Sequence, residues 1–142
     1  VNKSIVSVKM TMEIIDQDQQ EVTVVEEEGQ LMERGNLTVL TFREQHHEEE
    51  PIDSLITIQK DKVTVKRNGG ISMVQRFIAG QITENIYKHA YGSMHMETTT
   101  EQVYFDRPLG EKTGKLYVNY QTSLNGEEPR QHKLTILLNY RD

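Results

Sequence analysis

The chain has 142 residues, 35% hydrophobic and 27% charged, with a net charge of −6, which leaves room for one domain over residues 1–142. It contains no cysteine and no tryptophan, which excludes disulfides, thiolate metal sites and a cysteine nucleophile. The acidic balance disfavours general nucleic-acid binding, no apolar run reaches a membrane span of about 18 residues, and no secretory leader opens the chain. A cytoplasmic domain is the expectation.

Period-two alternation dominates from the start. Val6, Val8, Met10, Met12 and Ile14 alternate with Ser7, Lys9, Thr11 and Glu13, which predicts a strand buried on one face. Strand-like runs follow near 21–33, 37–45, 54–60, 62–67 and 71–79. The run 82–90 reads as a strand with a short helical alternative, since Ile82, Ile86 and Ala90 are four apart. Further strands are predicted over 92–105, then where Leu116, Val118, Tyr120, Thr122 and Leu124 alternate, and where Leu134, Ile136, Leu138 and Tyr140 do. Turn signals separate them at Asp16–Gln20, Gly35-Asn36, Asp61, Asn68-Gly69-Gly70, Gly110–Gly114 and Asn125-Gly126. The fold class is all-β: nine or ten antiparallel strands that close as an up-and-down barrel, with a sandwich as the second choice.

The central hairpin fixes which residues face inward. A three-residue Asn68-Gly69-Gly70 loop with a left-handed glycine pairs Arg67 with Ile71, Val65 with Met73 and Val63 with Gln75. That register puts the apolar Val63, Val65, Met73 and Phe77 on one face. Arg67 and Gln75 then face inward with them. Tyr87, Thr98 and Thr100 are their expected neighbours, and Met94 and Met96 extend the apolar lining. A few fixed polar groups within apolar walls make a ligand site, and an arginine suits a carboxylate or phosphate. An arginine at a barrel rim, paired with a local acid, is the plainer reading of Arg67.

Other motifs carry less. His46-His47-Glu48-Glu49-Glu50 holds metal-ligand residue types, but adjacent strand histidines point to opposite faces, so a solvated acidic loop before Pro51 is expected. Asp16, Asp18 and Glu27 mimic a calcium loop, but Glu21 occupies the position that needs glycine. No nucleophile elbow, phosphate loop or dinucleotide fingerprint is present, and no cofactor is expected. Residues 13–50 hold twelve acids against Arg34 and Arg43, a local −10 that leaves +4 for the rest. Lys60, Lys62, Lys66, Arg67 and Arg76 form a local basic patch on the central hairpin, of which Lys62, Lys66 and Arg76 share the predicted outer face.

The residues Arg67-x-Gly69, Met73-x-Gln75-Arg76-Phe77, Gly80, Thr83, Tyr87-Lys88, Gly92 and Thr98-x-Thr100 resemble the YwiB-like family, small uncharacterised bacterial proteins. The resemblance implies a calycin-type, lipocalin-like β-barrel and brings no catalytic residues. Two functions follow from the whole sequence. The first is a non-enzymatic barrel that binds a small amphipathic or anionic ligand, with Arg67 and Gln75 on its polar end and Met73, Phe77, Met94 and Met96 along its apolar part. The second is a protein-interaction module or homodimer with a solid core, whose acidic and basic sides meet each other or an acidic partner. An enzyme ranks third.

Overall fold

A computed structural model describes residues 2–45 and 50–141. Ten strands form: β1 (Asn2–Asp16), β2 (Gln19–Arg34), β3 (Leu37–Glu44), β4 (Ile52–Gln59), β5 (Lys62–Gly69), β6 (Ile71–Ile78), β7 (Ile82–His89), β8 (Gly92–Asp106), β9 (Gly114–Leu124) and β10 (Arg130–Tyr140). Each pairs antiparallel with its sequence neighbours, and β1 pairs with β10, so the sheet closes as an up-and-down barrel. No helix long and apolar enough to cross a membrane occurs among the described residues.

The alternation predicts this closure because every strand has one apolar face to bury. Val6, Val8, Leu31, Leu40, Ile56, Val63, Leu116, Val118, Ile136 and Leu138 meet in one core. The turns form where residues tolerate left-handed backbone: Gln17, Asp61 and Asn125 all have positive φ, and Lys60-Asp61 closes β4 onto β5 in two residues. The segment 82–90 is a strand; Ile82 and Ile86 point outward and are exposed.

The central hairpin departs from the expected register. Val65 pairs with Gln75, Arg67 with Met73 and Asn68 with Ser72, so the loop is Gly69-Gly70-Ile71. Gly69 remains part of β5, paired with Ile52, and its backbone lies against Pro51 at φ 146°. The shift is two residues, and two residues preserve which face a side chain takes. The inward placement of Arg67 and Gln75 therefore stands.

Two irregularities shape the interior. At the Thr100/Gln102 shift β8 takes an extra residue against β9, so inward positions pass from Met96, Thr98 and Thr100 to Val103 and Phe105. Between β6 and β7 only Ile71–His89 and Ser72–Lys88 pair. Further along, the Thr83 hydroxyl donates to the Arg76 carbonyl at 2.6 Å, and the Gly80 N–H donates to the Thr100 carbonyl. The β6–β7 junction is thus the thinnest part of the wall.

Candidate functional site

One end of the barrel carries the turns after β1, β5, β7 and β9 and the long connection between β3 and β4; here it is called the mouth. The inner face near the opposite end is mostly apolar, with Leu31, Phe77 and Phe105, and at its rim Tyr140 donates to Glu33 at 3.1 Å. Toward the mouth, the inward positions of β3 to β10 become polar: Glu44, Ser54, Arg67, Gln75, Asn85, Thr98, Thr100, Thr122 and His132. Each lies in phase with apolar neighbours on its strand, so the alternation that fills the core also turns these groups inward.

Three polar clusters result. In the first, Arg67 donates through Nη2 to Glu44 Oε1 at 2.6 Å and through Nε to Oε2 at 3.0 Å, while the Ser54 hydroxyl donates to Oε2 at 2.5 Å. Glu44 is fully buried. The Arg67 guanidinium is therefore engaged in a two-point ion pair with an inward acid. In the second, Gln75 Nε2 donates to Thr98 Oγ1 at 2.9 Å and lies 3.4 Å from Met96 Sδ. In the third, His132 stacks on Tyr120 with ring centroids 4.8 Å apart and shares a 2.6 Å hydrogen bond with Thr122 Oγ1. Phe77 packs on the same Tyr120 at 4.5 Å.

Burial governs the titration of the third cluster. It pushes the Tyr120 hydroxyl up to about 12, against an opposing pull from Arg67. It also lowers His132 to about 4, with help from the Arg130 charge. A histidine held neutral when folded but protonated near pH 6.5 when unfolded costs stability on acidification. Stability is accordingly expected to fall by roughly 2 kcal/mol as the pH drops from 6.5 to 4. His132→Phe, which keeps a ring on Tyr120, should remove that part of the dependence. Urea unfolding at several pH values checks it; an unchanged dependence in the variant would contradict the assignment.

Two concavities open at the mouth. One of about 380 Å³ is lined by Tyr87, His89, Met94, Met96 and Leu124. The other, about 770 Å³, lies over Ile52, Gly69, Ile71, Tyr87, His89 and Tyr91. Among the described residues, two buried polar atoms lack a partner: Thr100 Oγ1 and Asn85 Nδ2. Asn85 pairs with Met96 and Tyr87 with Met94, so Asn85 stands one inward step below the first pocket. A third concavity of about 590 Å³ runs over the outer face at Gln30, Thr41, Leu55 and Lys66. No orphaned polar group is found on the residues that line it.

Among the residues expected to bind, the structure gathers Tyr87, Met94 and Met96 in the smaller pocket, with Gln75 and Thr98 bonded beneath Met96. Met73 faces Arg67 across β5–β6, Phe77 belongs to the core, and Thr100 is one of the orphaned groups. Sequence reading missed Glu44, Asn85 and His132. The His46–Glu50 run, expected as a solvated acidic loop, lies outside the described residues apart from Glu50. No group of three metal-ligating side chains occurs among the described residues.

The acids of 13–50 do not form one acidic side. Glu44 is in the interior, Glu33 pairs with Arg107, Glu28 with Arg141 and Glu26 with Lys9, while Glu27 accepts the Gln45 N–H. Lys62, Lys66 and Arg76 do face outward together on β5 and β6.

Comparison with known proteins adds the fold's lineage. Residues 8–136 match the family model described as Domain of unknown function (DUF1934). The chain is 28% identical over 123 residues to the uncharacterized β-barrel protein YwiB of Bacillus subtilis (strain 168), covering 87% of this chain and 84% of that protein. The crystal structure of the ywiB protein from Bacillus subtilis superposes with a TM-score of 0.84 at 24% identity, covering 99% of this chain and 94% of the other.

Proposed function

The chain belongs to the DUF1934 family of uncharacterised β-barrel proteins, and we propose that it binds a small amphipathic molecule at the mouth of its barrel. The observation that carries this reading is a pocket of about 380 Å³, walled by Tyr87, Met94 and Met96, directly above the polar inner positions Gln75, Asn85 and Thr98. Apolar walls with a few placed polar groups are the usual make-up of small-molecule sites. Two unbranched thioethers let such walls adapt to a ligand's shape. The lipocalin-like comparison and the cytoplasmic location read from the sequence belong to the same proposal.

Met73 stands opposite Arg67, which is bonded to Glu44, and Phe77 lies deeper in the core opposite Val63; none of these lines the pocket itself. The alternative, an interaction module, draws on the outward Lys62, Lys66 and Arg76, but the acids expected opposite them are spread over both faces. The mouth is the better-supported site.

N-phenyl-1-naphthylamine, a neutral apolar fluorophore, tests the reading. Titration is expected to give a saturable rise in fluorescence at one molecule per chain. Leu124→Trp, which fills the pocket from β9, should weaken binding at least tenfold while leaving the unfolding midpoint within a few degrees. No saturable binding, or binding indifferent to Leu124→Trp, would refute the site.

A further inference from the structure

We infer that the molecule held at the mouth is uncharged, with a hydrogen-bond acceptor such as a carboxamide or ester carbonyl on an apolar chain, and that anions are excluded. The inference rests on the mouth being a ligand site and names the chemistry that site selects.

Charge decides the first half. Among the buried and half-buried inward positions described, Arg67 is the one lysine or arginine, and both its bonding nitrogens are committed to Glu44. Glu27, half-buried on the inward side of β2, adds a second carboxylate, which accepts the Gln45 N–H at 2.9 Å. His132 adds no charge at neutral pH, because burial keeps it deprotonated until about pH 4. Neither carboxylate lines the pocket, but no lysine or arginine does either, so a ligand carboxylate or phosphate would give up its water with no uncommitted cation beside it. A low-dielectric interior penalises that arrangement severely.

Hydrogen bonding decides the second half. The unpartnered buried groups are an amide and a hydroxyl. Asn85 Nδ2 can only donate, and the Thr100 hydroxyl can donate; both are shut off from solvent and neither has a partner. Met96, the cross-strand partner of Asn85, lines the pocket beside it, and its sulfur takes a weak 3.4 Å contact from Gln75. A rotamer change at this flexible side chain would let a carbonyl oxygen reach Asn85 while the apolar chain lies along Met94, Tyr87 and Leu124. An acceptor there satisfies Asn85; Thr100, four residues further along β8 from Met96, lies deeper and is not reached by the same atom. A charged acceptor also brings the penalty above, and a neutral one does not.

Calorimetric titration of the full chain with octanamide and with sodium octanoate at pH 7.5 separates the two. Octanamide is expected to bind at least tenfold more tightly than octanoate. In the variant Asn85→Leu, the preference should shrink to less than threefold while the fluorophore still binds. Octanoate binding as tightly as octanamide overturns the inference, as does no binding of octanamide. The mouth itself is refuted only when the fluorophore fails as well, so the two failures are distinguishable.

Discussion

Replacing Arg67 with methionine is expected to destabilise the fold by about 3–5 kcal/mol, the usual cost of removing one partner of a buried ion pair. Glu44 is fully buried and takes two hydrogen bonds from Arg67 and one from Ser54. Methionine fills much of the arginine's volume, so the loss reports on charge more than on packing. The total stability of a domain this size is about 5–15 kcal/mol, so the variant should unfold at far lower urea. The double variant Glu44→Leu with Arg67→Met removes both charges together. It should recover most of the loss, because a buried pair replaced by apolar residues is often neutral or stabilising. A loss under about 1 kcal/mol for Arg67→Met would place the pair in the class of solvated surface bridges and contradict its burial.

Gly69→Ala is expected to cost roughly 2–5 kcal/mol, combining backbone strain with overpacking. A Cβ there would stand 2.1 Å from the Pro51 carbonyl oxygen and 3.0 Å from Ile52 Cα, at a φ of 146° that side chains rarely adopt. The β4 backbone cannot retreat without breaking the Ile52–Gly69 pair that ends the β4–β5 ladder. Gly80→Ala supplies the contrast. Its φ is also positive, at 78°, but nothing lies within 4 Å of the new atom, so only about 1–2 kcal/mol is expected. Thermal unfolding of the two variants side by side checks the difference; equal losses would mean that backbone conformation alone, not the contact with Pro51, explains Gly69. Gly69 also lines the larger mouth concavity, so damage here should reach ligand binding too.

The strands were legible because each alternates apolar and polar residues and is bounded by turn residues such as Lys60-Asp61 or Gly35-Asn36. Closure followed from the need to bury ten apolar faces at once. The β5–β6 register was not legible, for a definite reason. Registers that differ by two residues present the same faces, and the contact that selects one, Gly69 on Pro51, joins β5 to the residue before β4. Arg67 and Gln75 could be placed inward from phase alone. Glu44 shares the phase of Leu40 and Phe42, which would have revealed it, but it stood among twelve acids that composition assigned to the surface. Asn85 was hidden differently: β7 gives a weak alternation, and its two-pair junction with β6 leaves no sequence trace.

The polar inner ring also explains a composition that looked thin for a core. With one face buried per strand, 35% hydrophobic residues suffice, and the interior still spends several inward positions on Glu44, Arg67, Gln75, Thr98 and Thr100. Buried polar groups stabilise less than leucine or isoleucine would in the same places. Their concentration toward the mouth, beside the pocket, fits a wall shaped for recognition.

Methyl NMR of the chain labelled at methionine, titrated with octanamide, addresses that claim most directly. Six methionines report from distinct places: Met94 and Met96 line the pocket, Met73 stands beside Arg67, Met10 and Met12 pack in the core, and Met32 faces outward on β2. The account predicts saturable shifts at Met94 and Met96, a smaller one at Met73, and none at Met32. Shifts confined to Met32, or no saturable shift at any methionine, would contradict it.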